Sequence, residues 1–157
     1  MAELNTVLYV YLLSLVPSFE GRYALLTGVA LGLTPGDALL IASLGVLTLS
    51  LVLPQVLYLI DDLVRRWDSR RGLLGFINRF YHRYIERTRI RASKYMDKYG
   101  FLGLIIFIAI PLPGTGVWTG SLASFIFGLD KKKTFLALLL GGLLSNAITY
   151  MIAFLIS

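Results

Sequence analysis

The chain has 157 residues, of which 57% are hydrophobic and 15% charged, with no cysteine and a formal net charge of +6. Soluble domains carry about 25% charged residues, and the mean hydropathy of +0.75 points away from that class as well. Such a composition excludes a soluble metabolic enzyme. The missing cysteine excludes a disulfide scaffold, a thiolate nucleophile and a cysteine-based metal site.

From the N-terminus, Leu8–Phe19 and Tyr23–Leu33 are two apolar limbs separated by Glu20-Gly21-Arg22, with Pro17 just before the break. A limb of about 12 residues reaches about 18 Å as a helix, little more than half of a ~30 Å hydrocarbon core. Ala38–Ile60 follows, an uncharged run of 23 residues that is long enough to cross, with Pro54 near its end where proline kinks a helix. Glu3 rather than a basic cluster stands at the start and no small-residue cleavage pattern follows, so a secretory signal peptide is not expected.

Residues 61–100 hold eleven of the fifteen basic residues and five of the nine acids, so this connector carries the whole +6. Within it, Leu73, Phe76, Phe80, Tyr84, Ala92, Tyr95 and Tyr99 recur at helical spacing. Arg79, Arg83, Arg87 and Arg91 form an i,i+4 row displaced from that stripe. The pattern predicts an amphipathic helix from Leu73 to Tyr99, with Gly72 and Gly75 near its start and Gly100 ending it. Its arginines suit anionic lipid headgroups and its apolar face the lipid boundary, either as a topology anchor or as a collector of substrate. Nucleic-acid binding is not expected, because the stripe beside the row is too apolar for a solvated groove. His82 stands alone among arginines, so no metal site is expected there.

The second apolar block repeats the first. Phe101–Leu112 and Val117–Leu129 are limbs separated by Pro113-Gly114-Thr115-Gly116, and Thr134–Ile156 is again an uncharged run of 23. A shift of 96 positions pairs residues 7–60 with 103–156 without a gap, with eleven of 54 positions identical. The informative matches are Pro17 with Pro113, Gly32-Leu33 with Gly128-Leu129, and Gly45 with Gly141. Weak internal symmetry of this kind marks transporter folds built by duplication.

Two topologies are open. If 7–33 and 101–129 each cross fully, there are four transmembrane helices, and Lys131–Lys133 lie across the membrane from the connector. If each is a re-entrant hairpin, Lys131–Lys133 stay on the connector's side, as the positive-inside tendency prefers. The second is favoured: an all-α inverted repeat of re-entrant hairpin (7–33, 101–129) plus transmembrane helix (38–60, 134–156), joined by a cytoplasmic connector (61–100). So much hairpin backbone needs shielding that a homodimer or larger is expected.

Glu20 and Arg22 are the ionisable residues inside an apolar block, where a charge costs about 2.5–3.5 kcal/mol on insertion scales. Either they neutralise each other and pin the hairpin tip, or Glu20 is a proton-coupling carboxylate and Arg22 an anion hook. The second break runs Pro111-Leu112-Pro113-Gly114-Thr115-Gly116-Val117-Trp118-Thr119-Gly120. Its prolines stop a helix and its glycines expose backbone N–H groups, and a new limb starts near Val117 with Thr115 as a plausible cap. An exposed helix N-terminus with hydroxyls favours anions. Without a P-loop lysine or a preceding strand, nucleotide binding is not expected. Trp118 packs on the opposite hairpin or lines a path. Ser50, Ser145 and Asn146 lie within the spanning runs, where polar groups bind helices to one another.

Pro17 to Arg22, together with the PLPGTG-x-W-x-G run from Pro111 to Gly120, resembles the small multi-drug export family, which is similar in turn to the wider DedA/VTT superfamily. The resemblance covers nearly the whole chain. It implies two inverted re-entrant hairpins, each followed by a transmembrane helix, and lipid translocation with proton coupling. Glu20 matches the acidic residue of the first break and Arg22 follows it. DedA proteins carry arginine in the second hairpin, where this chain has Thr115, Val117 and Trp118.

The expected function is therefore a transporter, flippase or scramblase for an amphiphilic anion such as a polyprenyl phosphate. Glu20 would couple the proton, while Arg22 and the Pro113–Gly116 backbone, with Trp118 and Thr119, would hold the anion. Alternatives are proton-coupled export of small cationic molecules bound by Glu20, or a non-transporting scaffold that recruits a partner through residues 61–100. No enzyme activity, cofactor or metal is expected.

Overall fold

The structure, a computed structural model, describes residues 2–17, 19–66, 73–112 and 114–155. Seven helices follow in order: α1 (Ala2–Leu15), α2 (Glu20–Ala30), α3 (Pro35–Arg66), α4 (Leu73–Tyr99), α5 (Phe101–Ala109), α6 (Val117–Ile126) and α7 (Lys131–Leu155). Two of them hold stretches long and apolar enough to cross a membrane, Pro35–Leu57 and Lys131–Ala153, each of 23 residues. Pro54 lies inside α3, which continues unbroken through it to Arg66.

The limbs are shorter than the apolar pattern implies. Pro17 lacks a donor and α1 ends at Leu15, and Glu20-Gly21-Arg22 open α2 instead of separating the limbs. Ile110 is extended (φ −67°, ψ 120°), as a residue before proline prefers, and α5 ends one residue earlier at Ala109. Each pair of limbs folds back on itself: Val10 of α1 packs with Ala24 of α2, and Ile108 of α5 lies against Gly120 of α6.

The turns that end α2 and α6 match bond for bond at the 96-residue spacing. Leu31, Gly32 and Leu33 donate to Thr27, Val29 and Gly28, and Phe127, Gly128 and Leu129 donate to Ala123, Phe125 and Ser124. Gly32 (φ 93°) and Gly128 (φ 68°) make both turns possible, which is why both positions are glycine. Thr34 Oγ1 then accepts from Asp37 N at 3.2 Å, and Asp130 Oδ1 accepts from Lys133 N at 2.8 Å, capping α3 and α7 at equivalent positions. The Lys133 backbone N–H holds the exposed Asp130 carboxyl below the usual carboxylate range. Gly45 and Gly141 are equivalent too. A Cβ on Gly45 would collide with Ser14 of α1, and one on Gly141 would lie 2.6 Å from Ile108 Cβ of α5.

Helices α3 and α7 pack antiparallel. Tyr150 rests on the cluster of Leu25, Ala38 and Ala42, and Gly142 faces Val46. Lys131 and Lys132 border one groove with Ser50, Pro54 and Gln55, so α7 begins beside the later half of α3. The main core runs from Val46, Leu49 and Leu53 of α3 through Leu104, Phe107 and Ile108 of α5 to Ala137 and Leu138 of α7.

Helix α4 has the expected bounds, and the part of its apolar face at Ala92, Tyr95 and Met96 packs on the protein instead of lying free for lipid. Ala92 is fully buried, Tyr95 and Met96 pack on the main core, and the Tyr95 and Phe107 rings stand 5.8 Å apart. Gly103 allows the close approach, since any Cβ there would collide with the Tyr95 carbonyl. The stripe contributes to an interhelical core at this end because Gly100 (φ 56°) folds α5 straight back along α4. The side chains of Arg79, His82 and Arg83, together with Gly72 and Pro113, lie outside the described residues.

Candidate functional site

The two breaks meet, and each completes the other. Glu20 and Arg22 are 6% and 7% exposed, a burial that charged side chains tolerate only when paired and hydrogen-bonded. Glu20 Oε2 accepts from the Val117 N–H and Oε1 from the Trp118 N–H, both at 3.1 Å. A carboxylate of the first hairpin thus caps the N-terminus of the second hairpin's outgoing helix, where the macrodipole and the free N–H groups favour negative charge. Arg22 Nη2 stands 3.4 Å from Glu20 Oε2.

The same guanidinium collects the carbonyls of the second break. Nη1 donates to Ile110 O at 3.4 Å and Leu112 O at 3.2 Å, and Nη2 donates to Thr115 O. Pro111 and the glycines interrupt the helical ladder here, which leaves these carbonyls to the guanidinium and to bonds within their own turn. Gly114 (φ 81°) and Gly116 (φ 135°) turn the backbone so that its carbonyls face Arg22 and its N–H groups face Glu20. A side chain on Gly116 would run into both Glu20 and Arg22. In the reverse direction, Trp118 Nε1 donates at 3.2 Å to Leu15 O, the carbonyl left open at the end of α1.

Thr115 does not cap α6. Its hydroxyl faces back across its own turn, 2.7 Å from Ile110 O and 2.8 Å from Leu112 O, and Gly116 stands at the cap position without a side-chain bond. Thr119 Oγ1 donates to Gly116 O at 3.3 Å. The N-terminus of α6 is therefore filled by the protein's own anion and is not an open anion site. Glu20 adopts this position with φ at 49°, a left-handed conformation uncommon for a side-chain-bearing residue and held only by surrounding contacts.

Beside this joint lies a cavity of about 480 Å³. The first break contributes Pro17, Phe19, Glu20, Arg22 and Tyr23 to its walls, and the second contributes Leu112, Gly114, Thr115, Trp118 and Thr119. The third wall is α4, with Arg87, Thr88 and Arg91. The sequence pattern assigns Arg87 and Arg91 to anionic lipid headgroups. The structure brings both to the charged joint, because burial of Thr88 and Ala92 fixes the rotation of α4. Only the i,i+4 row was readable beforehand; the chain's return through Gly100 was not.

The other polar candidates lie apart from the cavity. Ser50 Oγ donates to Val46 O of its own helix at 2.7 Å instead of bridging helices. Asn146 lies behind the joint, 1% exposed, in the space that Gly21 leaves by lacking a Cβ. Its Nδ2 and the neighbouring Ser145 Oγ are buried without a hydrogen-bond partner. A bond that sequence reasoning missed, Tyr11 hydroxyl to Thr48 Oγ1 at 3.0 Å, ties α1 to α3. No group of three metal-ligating side chains occurs among the described residues.

Two helices have the length and apolar composition of membrane spans, and the broken segments packed on them meet at a buried ion pair, features that suit a membrane protein. The chain belongs to the family described as "Putative small multi-drug export protein", whose model matches residues 20–148. That match begins at Glu20 and takes in the second break, α4 and most of α7. No curated protein and no solved structure matches the chain.

Proposed function

We propose that the chain is a membrane transporter that moves an amphiphilic anion, a lipid phosphate, past the junction of its two hairpin breaks, coupled to a proton on Glu20. One observation carries this reading: the breaks meet at a buried Glu20–Arg22 pair that opens onto a cavity of about 480 Å³. Broken helices meeting at an internal site are how transporters build a substrate path within a membrane.

Glu20 is suited to be the moving part. As a carboxylate it holds Val117, Trp118 and Arg22 together. A proton on it removes the charge that the helix dipole and the guanidinium favour, which loosens the joint between the hairpins. Both of its oxygens already accept hydrogen bonds, so it is poorly placed to take up a cationic substrate, and the anionic reading is preferred. The family description, export of small molecules, agrees with transport and leaves the substrate open.

The antiparallel packing of α3 and α7 supports the inverted arrangement. With re-entrant hairpins the two spanning helices run in opposite directions; with four full crossings they would run in the same one. Lys131–Lys133 and the basic connector then share the cytoplasmic side.

The test is purified protein in liposomes with a fluorescent polyprenyl phosphate. Wild-type protein should move the lipid across the bilayer, faster under a proton gradient, and Glu20→Gln should abolish the movement. Undiminished movement in both Glu20→Gln and Arg22→Ala would remove the site assignment.

A further inference from the structure

We infer that the substrate's anion is held by Arg87 and Arg91 of the connector helix, not by Arg22, and that the cavity selects a phosphomonoester on an apolar tail. The inference rests on the transport reading above and gives its site a headgroup specificity.

The charges of the joint are already matched. Arg22 is engaged by three carbonyls and Glu20, and both Glu20 oxygens are engaged by backbone N–H groups. Arg87 and Arg91 line the same cavity with no carboxylate partner among the described residues. They stand one helical turn apart, where two like charges repel unless an anion lies between them. Guanidinium groups grip phosphate oxygens through paired N–H donors, and a dianionic monoester matches two such groups in charge and geometry.

The surrounding residues fit that ligand. The Arg91 guanidinium lies against Gly114, where a Cβ would collide with it, so the second break is shaped to admit the arginine. The Thr88 hydroxyl offers a neutral donor on the α4 wall, while Phe19, Tyr23, Leu112 and Trp118 offer apolar surface for a tail. The second hairpin carries no arginine of its own. A helix from outside the repeat supplies the charge at that wall.

Trp118 provides the readout, since Trp67 is the chain's other tryptophan and a Trp67→Phe background leaves Trp118 as the sole reporter. In neutral detergent, dodecyl phosphate should change Trp118 fluorescence saturably. Arg87→Gln and Arg91→Gln should each weaken that binding at least tenfold, the double variant at least a hundredfold, and Arg91→Lys should fall between. Both side chains are exposed, so the thermal unfolding midpoints of these variants should match wild type. Didecyl phosphate, a diester, should bind several-fold more weakly, and dodecyltrimethylammonium should not bind.

Inorganic phosphate binding as tightly as dodecyl phosphate would overturn the assignment to an amphiphile. Wild-type affinity in the folded double variant, with lipid movement intact, would overturn the inference and leave the transport reading standing. Neither dodecyl phosphate binding nor lipid movement by wild-type protein would remove both.

Discussion

The two breaks occupy corresponding places in the two halves, yet they contribute opposite materials. The first presents charged side chains, Glu20 and Arg22, from the start of α2. The second presents backbone: N–H groups at Val117 and Trp118, and carbonyls at Ile110, Leu112 and Thr115. Around them the halves keep matched turns at Gly32 and Gly128 and matched helix caps at Thr34 and Asp130. The two halves are thus alike in these turns and caps and complementary at the breaks. Neither break satisfies all of its polar groups alone, and each supplies partners to the other.

Removing the side-chain partner should therefore do the most damage. Arg22→Ala leaves Glu20 buried without a counter-charge and the Thr115 carbonyl without its donor, and should destabilise the protein by about 3–5 kcal/mol in thermal unfolding in detergent. Gly116→Ala attacks the same joint from the backbone side. The Cβ meets Glu20 and Arg22 at a φ that only glycine adopts readily, and the expected loss is about 2–3 kcal/mol. A cost well below that of Arg22→Ala would sharpen the comparison; no cost would break it.

The strained conformation of Glu20 gives a smaller, signed test. Glu20→Gly and Glu20→Ala both lose the carboxylate, but glycine accepts a φ of 49° without penalty. Glu20→Gly should be the more stable of the two by about 1 kcal/mol, the reverse of their order in an ordinary helix. The smallest effect is expected behind the joint. Ser145 Oγ makes no hydrogen bond, so Ser145→Ala should leave the unfolding midpoint within about 0.5 kcal/mol of wild type or above it.

Much of this was readable from residues whose effect is local. Pro17, Pro111, Gly114 and Gly116 mark the two breaks by local effects alone, and the bounds of α4 follow from its apolar periodicity and Gly100. The 96-residue match of Gly32 with Gly128 and Gly45 with Gly141 marked positions that prove equivalent in their turns and contacts. What was not legible depends on long-range contact. That Glu20 caps a helix 97 residues away cannot be seen in the spacing of either break, and so Thr115 was the natural candidate for the cap. The apolar stripe of α4 reads the same whether it faces lipid or α5, and only the turn at Gly100 decides which.

In the proposed arrangement the two breaks enter from opposite faces and meet inside the membrane. Without cysteine in the chain, single cysteines report topology cleanly. Gly36 and Lys132 are exposed at the starts of α3 and α7. In intact cells, a membrane-impermeant maleimide should label Gly36→Cys and leave Lys132→Cys unlabelled until the membrane is opened. Labelling of both positions from the same side would contradict the inverted arrangement and the meeting of the breaks within the bilayer.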